Sequence, residues 1–592
     1  MSRGVRAAAV VLVVLSVLLG LPSAAVAQDG ATAARVLVVG VPGLTWNDVD
    51  AAKTPQLWSM AEHSAIGSLS VRAARSTTCT LDGWATLGAG NRARVPGPGS
   101  RPASSVDTTL SHCGLQEQAA GTALTDPETE VERTAEDEGT ARFGAEPGAL
   151  GRAVGCATVA GRGPALAVAV PGVTVRRVDP LPTDAAGLTG LLTGCPLTLV
   201  TLDQLTDAAR PGVDTTGEGT PPAARAAALR RLDGEVGRLR AAVAAVDHGA
   251  TLVLLAGISE VNDGRPQLHV GMASGPGFDA TGWLTSASTG RAPFVQLIDL
   301  APTALQTLGR EQPASMNGQP MRSSGGRPEL SKAVAELDAV NTAATVHHRN
   351  TGVFFWTLVL VSAALVTLGM LVLGGVPGRW VRVRPGGRRP LRGLAVAAAA
   401  LPGASYLAGL VPWEHTDAPV PVLIAALVAA DVVVAAVALR GPWRPHRLGP
   451  ALAVLTLTVG TLLADVLTGS TLELNGMLGY DAIVAGRFTG YGNLTFGLMS
   501  VSALSVAAAL ATLVARRVAP GRARLAAGAT VLVLGGVVVG VIGAPGLGRD
   551  FGGVLAALPG FLVLAMLLAR VRVTVVRLLA VLAAAVVAVG AV

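Results

Sequence analysis

From Gly352 onward the chain is a series of apolar runs of about 20 residues each, the length that crosses a bilayer as one helix, broken only by short polar segments. In lipid a spanning segment must satisfy every backbone N–H and C=O internally, so runs of this kind fold as helices. The pattern predicts spans near 352–375, 393–412, 418–439, 449–468, 494–515, 525–544 and 553–569. A last run near 573–592 follows the seventh so closely that the count is seven or eight.

The arginines give these spans a direction. After the first span come Arg379, Arg382, Arg384, Arg388, Arg389 and Arg392, and after the third Arg440, Arg444 and Arg447. Arg516, Arg517, Arg522 and Arg524 follow the fifth, and Arg570, Arg572 and Arg577 the seventh, leaving only Arg487 and Arg549 on the opposite loops. Short loops rich in arginine stay in the cytoplasm, so residues 28–350 are expected outside it. The formal charge of +7 then loses its apparent meaning. Residues 351–592 hold 18 arginines against 7 acids, which leaves 28 basic and 32 acidic residues in 1–350. That division, with only 3% aromatic residues, argues against a nucleic-acid partner. A chain 51% hydrophobic and 14% charged is also a poor match to an ordinary soluble enzyme.

The first residues read as a secretory signal peptide over 1–27: Arg3 and Arg6, an apolar run from Ala7 to Leu21, and Ala25-Val26-Ala27 before a cleavage point at Gln28. A first membrane anchor is the competing reading. Cys79, Cys113, Cys156 and Cys195 all lie in the exported region, an even number that predicts one or two disulfides. Of the three connectivities, Cys79 with Cys113 and Cys156 with Cys195 is preferred. The cysteine and histidine spacings predict no metal site and no cofactor.

Within residues 28–326 short Val- and Leu-rich runs recur at 35–41, 165–170, 197–202 and 251–255, and they alternate with helical patterns, clearest at 222–246. This predicts an α/β domain with a mainly parallel sheet between helical layers. The acidic stretch 125–147 reads as a solvated insertion. Residues 327–351 read as a polar, helix-compatible connector to the membrane domain of residues 352–592.

Four segments carry a resemblance to the alkaline phosphatase-like superfamily. The first strand runs into Pro42-Gly43-Leu44 and is followed by Thr54-Pro55-Gln56-Leu57; Thr77–Gly90 resembles the superfamily's nucleophile turn with its helix. A strand at Thr251–Leu255 precedes the place of an Asp-His-Gly motif, and Asp299-Leu300-Ala301-Pro302-Thr303 resembles the closing helix. The whole layout, with the loop GRFTGYGN, also resembles a family of actinobacterial membrane proteins. The resemblance implies Thr80 as the nucleophile, activated by two divalent ions held on Asp and His side chains. Here the sequence departs from the pattern. Pro42 stands where the first metal-binding Asp is expected, Ala256-Gly257-Ile258-Ser259 where the Asp-His pair is expected, and Gly83-Trp84 where related phosphodiesterases carry Asn and His. Asp203, Asp207 and His269 are the remaining candidate ligands, too few for a metal pair. Thr80 then reads more naturally as a helix-capping residue than as a nucleophile.

In the membrane half, Asp431 and Asp465 fall inside apolar runs, where an ionisable group marks either a polar path or a residue reaching interfacial water. The loop from Gly469 to Asn493 is long, glycine-rich and expected on the exported side, with Arg487, Phe488, Tyr491 and Asn493 placed to hold an anionic head group. An interfacial loop contributing to the aromatic belt is the equal alternative. Together these features predict a multi-pass membrane protein with a non-catalytic phosphatase-fold domain, recognising or helping to move or assemble a cell-envelope component, with the bilayer and an anionic envelope lipid or polymer as partners. The alternative is a hydrolase or phosphotransferase acting on envelope lipids or polymers through Thr80.

Overall fold

The computed structural model describes residues 32–96, 113, 124–208, 217–247, 250–262, 264–278, 280–373 and 388–590. The expected signal peptide and Arg379, Arg382 and Arg384 lie outside them. The chain forms two compact units, one of Ala27–Thr345 with Ala482–Phe488, the other of Val346–Asp481 with Thr489–Val592.

The first unit is built on a mostly parallel sheet. Its described strands are β1 (Arg35–Gly40), β2 (Ala65–Ser70), β3 (Cys156–Ala160), β4 (Thr174–Val178), β5 (Leu197–Thr201), β6 (Thr251–Ala256), β7 (His269–Ser274), β8 (Gly282–Ser286), β9 (Phe294–Gln296) and β10 (Met321–Gly325). They lie in the order β10-β8-β2-β7-β6-β1-β5-β3-β4, with β9 on β2. β1 sits between two parallel neighbours, Val36 facing Leu197 of β5 and Leu252 of β6. Five of its six residues are buried, as a strand covered on both faces requires.

Side chains of β1 alternate between two cores. Val36 and Val38 join one with Leu81, Trp84 and Leu87 of α2 (Thr80–Ala89), while Leu37 and Val39 join the other with Leu57 and Met60 of α1 (Pro55–Glu62). Leu232, Val236 and Leu239 of α3 (Pro222–Asp247) complete the second core. α3 also fastens the loops after β1. Its buried Asp233 accepts the Gln56 and Leu57 N–H groups at 2.9 Å and so caps α1. Its Arg225 holds Asp48 (Nε–Oδ1 2.9 Å) and donates to the Gly43 carbonyl at 2.7 Å. The closing helix α4 (Leu300–Thr307) packs on the α2 side.

Both disulfides form in chain order, Cys79 with Cys113 and Cys156 with Cys195. Two expectations need correction. The run at 165–170 is not a strand: Pro164–Ala167 forms a 3₁₀ turn, and the strand of this region is β3, eight residues upstream of Pro164 at its start. Pro164 pre-sets a helical φ, and full burial of the run leaves no periodicity to read. The acidic stretch is not simply solvated. Asp126 caps a helix over Pro127–Glu136 whose Val131 and Thr134 are buried, and Asp137 pairs with Arg94 at 2.8 Å.

The second unit is helical. Seven described helices are long and apolar enough to cross a membrane, starting at Leu330, Pro390, Pro419, Gly449, Asn493, Pro520 and Phe551; Val575–Gly590 is shorter, at 16 residues. The first is continuous over Leu330–Leu373, so the expected connector is the opening of a single helix. Close approach is made by small residues, as in membrane bundles. A Cβ on Gly535 would lie 2.6 Å from the Phe561 ring, and one on Gly403 2.6 Å from the Thr458 hydroxyl. Leu360, Val366, Ile424, Val433 and Leu525 face outward and exposed, as lipid-facing side chains do.

Candidate functional site

In open parallel sheets ligands bind beyond the carboxyl ends of the strands. Here that region is formed by the residues after β1, β3, β5 and β6, with the N-terminus of α2 beside them. Thr80 begins α2, behind Cys79 as its cap. Asp82 is fully buried and committed to fastening this turn: it accepts the Cys79 N–H at 3.2 Å and the Val95 N–H at 2.7 Å, and pairs with Arg75 at 3.0 Å. Thr80 is 8% exposed, and the Ser259 hydroxyl donates to its Oγ1 at 3.4 Å. Ser259 follows β6, whose loop presses on α2 so closely that a Cβ on Gly83 would lie 2.4 Å from the Ile258 carbonyl oxygen. Only glycine fits there.

Three polar clusters draw on the segments that follow β1, β3, β5 and β6. In the first, Glu260 accepts the Gln267 N–H at 3.0 Å and meets His269 Nε2 at 3.0 Å, while His269 Nδ1 lies 3.2 Å from the Leu44 carbonyl oxygen. Both ring nitrogens thus already face oxygen acceptors. In the second, Arg162, from the turn after β3, reaches Asp203 at 3.6 Å and Asp207 at 2.5 Å. Burial pushes the Asp203 carboxyl above its usual range, with the Thr201 hydroxyl at 2.7 Å and Arg162 pulling in the opposite direction. The third is the Asp48–Arg225 pair. Burial disfavours the guanidinium charge, but Asp48, with Glu218 and Glu260 further out, more than offsets this and raises its pKa.

The residues present do not fit the metal pair that the superfamily resemblance implies. Pro42 offers no ligand, Arg162 places its own positive charge between Asp203 and Asp207, and His269 is engaged by Glu260 and Leu44. Among the described residues no three His, Cys, Asp or Glu side chains are grouped to hold a metal ion. Trp84 fills ground beside the end of β1: a Cβ on Gly40 would lie 2.5 Å from its ring and one on Gly163 2.3 Å. The indole is fully buried.

The structure distributes the other candidates between the two units. Asp465 is buried in the helical unit, where its carboxylate accepts the Leu472 N–H at 2.7 Å and the Glu473 N–H at 3.0 Å. Tyr491 is also buried there and donates to the Leu462 carbonyl at 3.1 Å. Asn493 is exposed at the start of its helix, and Asp431 is half-buried with its Oδ1 lacking a described hydrogen bond. Arg487 and Phe488 belong instead to the α/β unit. The strap Ala482–Phe488 carries buried Ile483, Ala485 and Phe488 into it, with the Phe488 ring 5.3 Å from that of Phe294. Ser70 donates to the Ile483 carbonyl at 3.0 Å, and Arg92 to those of Val484 and Ala485 at 2.9 and 3.0 Å. Arg162, Glu260 and Arg225 carry no motif, and sequence reasoning missed them; of the strap it singled out Arg487 and Phe488 but not its place in the α/β unit. Only the apolar AIV of the strap hinted at burial.

Fold and site together define a two-unit protein, a mostly parallel α/β unit joined to a unit of membrane-capable helices. No family model and no curated protein matches the chain. Among solved structures it is similar to a 2-O GAG sulfatase, at 12% identity and a TM-score of 0.29, covering 48% of this chain and 73% of that one. It is also similar to the PH0037 protein from Pyrococcus horikoshii, at 12% identity and a TM-score of 0.25, covering 48% and 98% of the two chains.

Proposed function

We propose that the α/β unit is a phosphatase-fold domain that has lost its chemistry and serves recognition. It is displayed outside the cytoplasm on a multi-pass helical unit and engages an anionic component of the cell envelope. The observation that supports this reading most is Arg162 seated between Asp203 and Asp207. A guanidinium there supplies the positive charge a metal would supply, but it has no open coordination position with which to polarise an ester oxygen or activate a hydroxyl. Thr80 accordingly has a serine hydroxyl as its described partner and no described base to take its proton.

The two disulfides fit an oxidising compartment, and the arginine-rich loops fit a cytoplasmic side for the opposite ends of the spans. The test is turnover. Full-length protein in neutral detergent, supplied with zinc or manganese and with phosphodiester and sulfate-ester substrates, is expected to give no hydrolysis above the metal alone. Hydrolysis abolished by Thr80→Ala would overturn the reading in favour of an enzyme.

A further inference from the structure

In the helical unit, three helix ends come together at one short turn. The helix Pro419–Arg440 ends there, the helix Gly449–Leu467 begins there, and the helix Arg388–Leu407 starts beside them. The turn is tightly folded. Its N–H groups close on carbonyls three residues back, Arg444 on Gly441 at 3.1 Å, His446 on Trp443 at 3.0 Å and Gly449 on His446 at 3.1 Å. The Trp443 indole donates to the Ala438 carbonyl at 2.9 Å and ties the turn to the end of its helix. Glycine is required at both ends: a Cβ on Gly441 would lie 2.3 Å from the Trp443 ring, and one on Gly449 2.0 Å from the Trp443 carbonyl oxygen.

This turn presents positive charge that the described residues do not match. Arg440, Arg444 and Arg447 are exposed on it, and so is Arg392, whose Nη2 donates to the Arg444 backbone carbonyl at 3.3 Å, a neutral acceptor. None of the four has an ion pair among the described residues. The sequence places no acid in 374–413 or in 432–464. Arginine on a loop is enough to orient a span, but orientation alone calls for neither a glycine-fixed turn nor a guanidinium of one helix seated on the backbone of the next. Apolar side chains flank the charges. Leu448, which follows Arg447, is 69% exposed, and Leu394, two residues after Arg392, is 56% exposed.

We propose that this turn, with Arg392, binds the headgroup phosphate of an anionic phospholipid. Arg440 is the last residue of the membrane-capable helix Pro419–Arg440, and Arg392 the third of Pro390–Leu410, which puts their guanidiniums at headgroup depth. The planar forks match phosphate oxygens in pairs, and each basic side chain near an anionic leaflet adds to the attraction. The folded backbone needs no ordering when the lipid arrives. A soluble phosphate would leave Leu448 and Leu394 bare, whereas acyl chains cover them, so the surface fits a lipid better than a free anion. The site belongs to the helical unit and stands whether or not the α/β unit turns over a substrate.

The test is native mass spectrometry of full-length protein in neutral detergent, titrated with phosphatidylglycerol or with phosphatidylcholine of the same acyl chains. The first phosphatidylglycerol is expected to bind at least about tenfold more tightly than phosphatidylcholine. Arg444→Ala combined with Arg447→Ala should weaken it at least about tenfold and leave phosphatidylcholine unchanged. Both side chains are exposed, and Arg392 holds the backbone of Arg444 rather than its side chain, so the turn survives the substitutions. Arg447→Gln alone, a change at one exposed side chain, should show a several-fold part of the loss. Arg572→Ala, exposed on a different loop, serves as control and should bind as the parent does. Equal affinity for the two lipids, no loss in either variant, or equal weakening by the control overturns the proposal. Displacement of the phosphatidylglycerol by an equal concentration of glycerol phosphate also overturns it, in favour of a site for a soluble anion.

Discussion

Arg162 and Asp203 lie 41 residues apart in sequence, on turns after neighbouring strands β3 and β5, and the proposed loss of chemistry leans on their contact. The Asp203 carboxyl is raised by burial, so its native form holds a proton more tightly than the unfolded chain does. Its contribution to stability is therefore complete below the ordinary carboxylate range and is lost as pH rises through the raised value. Arg162 limits that loss by favouring the charged form. Arg162→Gln should cost little at pH 4 and progressively more toward pH 8, read as the gap between parent and variant melting temperatures. An equal gap at both pH values would mean that Asp203 and Arg162 do not titrate as a pair. Neither partner was legible as such. The sequence offered Asp203 and Asp207 as leftover ligands, and nothing in the local pattern around Arg162 pointed to the carboxylates it bridges.

At the scale of elements, the strongest case is the strap. Ile483 meets Ser70 across 413 residues of sequence, a contact that no periodicity within a short window can announce. Phe488→Ala removes a buried ring packed at a tilt against Phe294 and should lower the stability of the α/β unit by about 3–5 kcal/mol, read from its own transition in calorimetry of the full chain. A transition unchanged in the variant would mean that the strap adds nothing to this unit. The strands that were legible, β1, β5 and β6, are runs of large apolar residues covered on both faces. β2 (AIGSLS), β7 (HVGMAS) and β8 (GWLTS) were not, because the glycines and serines within these short strands weaken both the hydrophobic and the propensity signal. Glycine is required in β2 all the same, since a Cβ on Gly67 would lie 2.5 Å from the Pro293 carbonyl oxygen. The apolar helices announced themselves, because a run long enough to cross lipid needs no partner to be recognised.

For the whole molecule, the charge of +7 divides into a basic helical part and an acidic remainder, 18 arginines against 7 acids from residue 351 onward. Most of those arginines mark loops between spans. Arg72, Arg92 and Arg142 lie in the part of the chain where acids outnumber bases, and only the fold gathers them around one cavity. The central proposal, that the α/β unit is a phosphatase fold without a metal pair, is tested most directly by metal content. Full-length protein purified without chelator and dialysed against zinc and manganese should retain well under one ion per chain by elemental analysis. One or two ions per chain, lost in Asp203→Ala, would contradict the account.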